Sequence, residues 1–194
     1  MRTLFSLLFL ALAGVLAFFL YKSIEEPIAF ANVRAERDEV VANKLEMIRK
    51  AQEIYRDITG EFAGNFDTLK QVLTEGRLLE VKVIGDPDDP NFVGEITYDS
   101  SYVAASKLVA DRKIVLDDLE KVPYTNGAEF DIESKVIPYQ STDVAVVQVG
   151  VRRKVYMGEE YGDIKYKQYD QTYDPNAPMQ FGSLTKPTLT GTWQ

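Results

Sequence analysis

The chain of 194 residues contains neither cysteine nor histidine. Without cysteine there are no thiol nucleophiles, disulfides or thiolate zinc sites, and without histidine there is no imidazole acid–base relay. Catalysis would have to use carboxylates, Lys, Tyr or Ser/Thr. The sequence also lacks a nucleophile elbow, a phosphate-binding loop and a dinucleotide fingerprint. These absences predict a protein that is not an enzyme and that binds no cofactor.

Basic residues are outnumbered: 22 Lys and Arg stand against 30 Asp and Glu, which gives a net charge of −8. An acidic surface of this kind repels the phosphates of nucleic acids and anionic lipid headgroups. We therefore expect no nucleic-acid partner.

Charge is missing altogether from the nineteen residues Thr3 to Tyr21. As a helix, this stretch would span about 28 Å, close to the hydrocarbon thickness of a bilayer. Tyr21 and Lys22 then supply an interfacial aromatic ring and a snorkelling cation. A cleaved signal peptide would have a shorter apolar region followed closely by a small-x-small site. The sequence favours a retained transmembrane anchor over residues 1–22, with residues 3–21 in contact with the membrane.

The charges around this segment do not decide its orientation. Arg2 favours a cytoplasmic N-terminus, but Lys22, Arg34 and Arg37 lie beyond the other end. A short N-terminal flank before a large domain is typical of signal anchors. We therefore expect the C-terminal domain to lie outside the cytoplasm.

A second helical pattern follows Pro27, which suits the first turn of a helix. Its apolar residues recur every three or four positions, a stripe made of Val33, Val40, Val41, Leu45, Ile48, Ala51, Tyr55 and Ile58. This stripe could pack on the sheet of its own domain, or its first half could pack on a partner helix. The first half, Ile28 to Val40, has few large apolar residues, which predicts a solvated stalk about 20 Å long.

The helix is expected to end at a sharp corner. Gly60 suits the left-handed position that closes a helix, Phe62 and Phe66 would fold back as apolar plugs, and Asp67, or alternatively Asn65, would cap a short second helix. Leu69, Val72 and Leu73 would form the buried side of that helix, and Gly76 would end it. Residues 23–76 are thus predicted to be a stalk or spine helix followed by a short helix.

This layout resembles that of type IV pilins and pseudopilins. In that family an "Ala-x-x-x-Tyr … Gly-x-Tyr/Phe … Leu" run closes the spine helix, and the matching positions here are Ala51, Tyr55, Gly60, Phe62 and Leu69. The same region also resembles single-anchor membrane proteins of Bacteroidota-type bacteria. The resemblance implies a single-pass protein of the bacterial inner membrane with a structural role.

The resemblance concerns the layout and not the processing site of a prepilin. A prepilin has a basic leader, a Gly at the cleavage site and a Glu five residues later. Here Gly14 lies inside the apolar run, five residues before Phe19.

Residues 77–174 are expected to form an antiparallel β-rich domain. "LLEVKVIG" (78–85) is a predicted strand, and "DVAVVQVGVRRKVYM" (143–157) alternates between an apolar and a more polar side. A sheet with one apolar face needs a cover, and residues 40–58 of the amphipathic helix can supply it. The predicted fold is α+β. Residues 175–194 are predicted to be an irregular tail, with Phe181 and Trp193 as possible anchors.

Tyrosines are concentrated near the end of this domain: Tyr156, Tyr161, Tyr166, Tyr169 and Tyr173. They are expected to lie on the half-exposed face of a hairpin, where they could bind a partner or stack on a glycan. The turn "DPDDPN" offers Asp86, Asp88 and Asp89 as a candidate Ca²⁺ site, although its spacing is not that of an EF-hand. A plain acidic turn is the alternative.

Taken together, these features predict a non-catalytic, membrane-anchored structural or assembly component of a pilin-like or secretion-type envelope complex. Its expected partners are other envelope proteins or further copies of itself. The alternative is an anchored extracytoplasmic binding module for a glycan, a peptide or an ion.

Overall fold

The computed structural model of the protein describes residues 2–84 and 97–193. It is an α+β chain with a long N-terminal apolar helix and antiparallel sheets. The elements in chain order are α1 (Arg2–Thr59), α2 (Phe66–Glu75), β1 (Arg77–Ile84), β2 (Thr97–Ala104), α3 (Ala105–Asp111), β3 (Asp131–Tyr139), β4 (Thr142–Arg152), α4 (Arg153–Tyr161), a 3₁₀ helix (Ile164–Gln168) and β5 (Pro178–Gly182). The candidate Ca²⁺ ligands Asp86, Asp88 and Asp89 lie outside the described residues.

Helix α1 is one element of 58 residues and not two. The sequence predicted a new helix at Pro27, but the helix continues through this residue. A proline inside a helix removes one hydrogen bond and crowds the carbonyl of the preceding turn, at a cost of about 3 kcal/mol. Long helical segments on both sides, one of them held in the protein core, offset this cost.

The corner after α1 is confirmed in detail. Gly60 has φ = +83° and its N–H donates to the Arg56 carbonyl, which closes the helix. Phe62 and Phe66 are both buried. Asn65, and not Asp67, caps α2 by accepting from the Thr68 N–H at 2.8 Å.

Two separate antiparallel sheets follow. Strands β3, β4 and β5 form a three-stranded sheet with β4 in the centre. Strands β1 and β2 form a two-stranded ribbon in which Arg77 lies opposite Ala104 and Ile84 opposite Thr97.

The core lies between α1 and the three-stranded sheet, as predicted for residues 40–58 of the helix. The α1 side contributes Val41, Leu45, Ile48, Ala51 and Ile54, and the sheet contributes Val147, Val149, Val151, Met179 and Phe181. Helices α2 and α3 pack on each other and on α1. We call everything beyond the corner, from residue 60 onward, the head.

Two predictions about the C-terminal third are wrong. Residues 153–169 form α4 and the 3₁₀ helix instead of a hairpin, and β4 ends at Arg152. Contacts from α1 explain the switch, because Arg37 binds two α4 carbonyls that a strand would have paired with a neighbour. The expected irregular tail contains β5, which pairs with β4 and buries Phe181.

Candidate functional site where the head meets the N-terminal helix

Phe30 of α1 is the centre of an aromatic cluster. Its ring is stacked on that of Tyr166, with centroids 4.6 Å apart and planes 9° apart, and meets the Tyr173 ring edge-on at 4.9 Å. Tyr161 lies next to both Phe30 and Tyr166, at 6.3 and 5.5 Å. Offset and edge-to-face pairs of this kind add to the gain from burial. We call Phe30, Tyr161, Tyr166 and Tyr173 the aromatic junction.

The tyrosines predicted to form an exposed interface are therefore mostly internal. Tyr156, Tyr166 and Tyr173 are buried, and Tyr161 is half-buried. Only Tyr169 keeps a large exposed fraction, 38%. The prediction of a half-exposed tyrosine face is wrong for the three buried residues, because their rings pack on α1.

Polar contacts surround the aromatic junction on the side of the head. Arg37 of α1 donates to the carbonyls of Tyr156 and Met157 at 3.0 and 2.7 Å, and Arg34 pairs with Asp170. Asp38, one turn beyond Arg34, accepts a 2.6 Å hydrogen bond from the Tyr156 hydroxyl. One face of α1 thus holds α4 and the segment after the 3₁₀ helix through charge-assisted bonds.

Burial changes the acidity of two of these tyrosines. The pKa of Tyr156 is raised well above its ordinary value, mainly by burial and further by its hydrogen bond to the Asp38 carboxylate. Burial also raises the pKa of Tyr173 to about 12. Both phenols are therefore neutral in the folded protein well above the pH at which they ionise in an unfolded chain.

This difference predicts a loss of stability at alkaline pH. A phenol with a raised folded pKa contributes stability below its unfolded pKa of about 10, and this contribution falls as the pH rises beyond that value. Urea unfolding at a series of pH values from 8 to 12 should therefore give a steep decline above roughly pH 10. Tyr156→Phe should flatten the decline, whereas Tyr98→Phe, at an exposed position, should leave it unchanged. Equal slopes in all three proteins would contradict the assignment.

The aromatic junction also changes the expected role of the first half of the helix. Phe30 is nine residues beyond Tyr21, about 14 Å along the helix axis, and it is 1% exposed. Closer still to the apolar segment, Lys165 lies 3.7 Å from Glu26. The predicted solvated stalk is therefore wrong: the head packs on α1 from near the end of the apolar segment.

The apolar stripe predicted from the sequence begins at Val33 and does not include Phe30. Phe30 and Val41 are eleven residues apart, which is three helical turns, so they share one face of α1. This helical spacing is the sequence signal that places Phe30 in the buried stripe.

Beside the aromatic junction, a surface cleft of about 280 Å³ is lined by Lys22, Glu25, Glu26, Ala29, Glu160, Tyr161 and Tyr166. Two of the predicted interface tyrosines thus border a cleft next to the apolar segment. Among residues 2–84 and 97–193 there is no group of three or more acidic side chains placed to hold a metal ion.

No family model, curated protein or solved structure matches the chain.

Proposed function

We propose that the protein is a single-pass membrane protein whose head serves as a non-catalytic assembly component of a bacterial envelope complex, with the head outside the cytoplasm. One observation carries the proposal. A single continuous helix joins a charge-free segment, whose apolar side chains are exposed, to the core of the head. Exposed apolar surface on this scale marks contact with a membrane or with another protein.

The geometry also supports a mechanical role. The aromatic junction and the contacts of Arg34 and Arg37 fix the head to α1 about 2.5 to 4.5 helical turns beyond the end of the apolar segment. A head held in this way has a defined height and orientation above the membrane surface. Partners would therefore meet its surfaces at a fixed distance from the bilayer.

A second candidate function is an anchored binding module, and the cleft beside the aromatic junction favours it. Tyr161 offers an aromatic ring there, and Lys22, Glu25 and Glu26 offer charges of both signs. A cleft of about 280 Å³ falls just below the usual range for ligand sites, roughly 300–1,000 Å³. We prefer the assembly role because it accounts for the exposed apolar segment of α1 as well as for the part of α1 that packs on the head.

The test is to express the full chain in a bacterium, separate membranes by centrifugation and crosslink intact cells. We expect the chain to sediment with the membranes, to resist carbonate extraction and to form discrete adducts with protein neighbours. The double variant Leu8→Arg/Leu12→Arg places two cations in the apolar segment, each costing about 3 kcal/mol near the centre of a membrane helix. It should lose both the sedimentation and the adducts.

The matched control is Val115→Arg/Val136→Arg, which adds the same charges at exposed apolar positions of the head. This control should behave as the wild-type chain. Sedimentation without protein adducts would favour the binding module, and a wild-type chain in the aqueous fraction would refute the membrane-anchored role.

A further inference from the structure

The ribbon formed by β1 and β2 contacts α1 and α3, and residues on both of its faces are exposed. Tyr98 and Tyr102 are 69% and 70% exposed, and Leu79 and Val81 about half exposed. Among residues 2–84 and 97–193, β1 pairs with β2 alone, so its outer edge has no strand partner there. A two-stranded ribbon is marginal in water unless further strands or packing support it.

The outer edge of β1 has a sequence that matches itself in the antiparallel direction. When two copies of "RLLEVKVI" are aligned about Val81, Leu79 lies opposite Val83 and Glu80 lies opposite Lys82. Each copy supplies one Glu and one Lys, so this register creates two opposite-charge pairs. The outer strand β2 has no such pattern, because alignment about Ser100 puts Asp99 opposite Ser101.

The backbone of β1 is oriented for this pairing. The Ala105 N–H donates to the Gly76 carbonyl at 2.9 Å, one position before the ladder that starts at Arg77 and Ala104. Backbone groups alternate sides along a strand, so Leu78, Glu80 and Lys82 direct theirs toward β2. Arg77, Leu79 and Val81 therefore direct their N–H and C=O groups to the outer edge.

We infer that β1 pairs with β1 of a second copy of this chain, antiparallel about a two-fold axis at Val81. The product is a four-stranded sheet in the order β2-β1-β1-β2. This inference deepens the proposed assembly role, on which it rests, by naming the partner and the surface. An isologous contact of this kind is the commonest form of symmetric association.

Charge complementarity selects the second copy over other occupants. A Lys on an edge strand usually blocks pairing with other chains, because its charge is left unmatched. In the Val81 register, Lys82 lies between Asp99 of its own ribbon and Glu80 of the second copy. In the Val81 register the charge of Lys82 is therefore paired with Glu80 of the second copy, whereas an unrelated strand would leave it unpaired. A register shifted by two residues loses this pairing.

Val81→Cys tests the register directly, because the chain has no other cysteine. The two Cα atoms at the two-fold axis would lie about 5.5 Å apart, within the range that a disulfide spans. Purified full-length Val81→Cys in detergent, treated with an oxidant or with the shortest bis-methanethiosulfonate, should give a species of twice the 21.9 kDa chain mass. In the matched variant Arg77→Cys, the two thiols would be about 27 Å apart along the strands, and no crosslink is expected.

Charge reversal supplies a second readout on the Val81→Cys background. Glu80→Lys turns both pairs repulsive and should lower the crosslinked yield roughly tenfold, as should Lys82→Glu. The combination Glu80→Lys/Lys82→Glu swaps the charges between the copies, and Asp99→Lys added to it keeps position 99 opposite in charge to position 82; this triple variant should restore the yield. Recovery in the triple variant also shows that the ribbon still folds.

A Val81→Cys chain that stays monomeric, or that crosslinks no better than Arg77→Cys, overturns the inference. If that chain still sediments with membranes and forms adducts with other proteins, the proposed function is unaffected. If self-linking persists in a chain that neither sediments nor forms such adducts, the proposed function fails and the β1 pairing stands.

Discussion

Replacing Phe30 by Ala is expected to lower the free energy of unfolding by about 3–5 kcal/mol, the usual cost of deleting a buried Phe side chain. The Phe30 ring touches three tyrosines that come from α4, from the 3₁₀ helix and from the segment after it. Its removal leaves a cavity bordered by Tyr166 and Tyr173, whose own rings lose their stacked and edge-on partner. The effect should therefore reach beyond α1 into the C-terminal third of the head.

The measurement is urea unfolding of the full chain in detergent, followed by near-ultraviolet circular dichroism of the tyrosines. Limited proteolysis should also show earlier cleavage between residues 161 and 174 in Phe30→Ala. The control is Phe18→Ala, which removes the same ring from an exposed position in the apolar segment. A change below about 0.5 kcal/mol in Phe30→Ala, the usual size of a surface effect, would show that the aromatic junction does not hold the head.

Residues whose structure is decided locally were predictable from the sequence. Gly60 stops α1 because the left-handed conformation is accessible to Gly, and Asn65 caps α2 through its own side chain. Four residues of the predicted stripe, Val41, Leu45, Ile48 and Ala51, similarly identified the core face of α1, because helical periodicity depends on neighbours three and four residues away.

Residues whose structure is decided by distant contacts were not predictable. Tyr156, Tyr161 and Tyr166 have high strand propensity, yet they occur in α4 and the 3₁₀ helix because Phe30 and Arg37 contact these segments from more than 100 residues away. The same applies to β5, whose short apolar alternation, Met179 and Phe181, becomes a strand only when β4 provides an edge.

The outer edge of β1 is a third case. Its self-complementary charge pattern is visible in the sequence, but only the structure shows that this edge has no strand partner among the described residues. "LLEVKVI" was predicted as a strand, and that is confirmed. Its self-complementarity about Val81 indicates a pairing surface only because β1 lies at the edge of a separate two-stranded ribbon. In the centre of a sheet, the same charge pattern would have no second copy to meet.

A second large effect is expected at Gln52, a fully buried polar side chain on the core face of α1. Its amide accepts from the Ala63 N–H at 2.9 Å and donates to the Ala63 carbonyl at 3.0 Å. At the corner between α1 and α2, the Gln52 side chain thus makes the two backbone hydrogen bonds of Ala63 that a neighbouring strand would otherwise make. Gln52→Leu keeps most of the volume but leaves both backbone groups buried without partners, at about 1–3 kcal/mol each.

We therefore expect Gln52→Leu to lose about 2–5 kcal/mol of unfolding free energy, whereas Gln71→Leu on the exposed side of α2 should be neutral. Gln52→Glu separates hydrogen bonding from packing. An ionised carboxylate can accept from the Ala63 N–H but repels the carbonyl, and a protonated one restores both bonds. Burial raises the pKa of such a carboxyl in the folded state, so the variant should gain stability relative to wild type as the pH falls. If the Gln52→Glu deficit were the same at pH 5 and pH 8, the corner would depend on side-chain volume and not on these two hydrogen bonds.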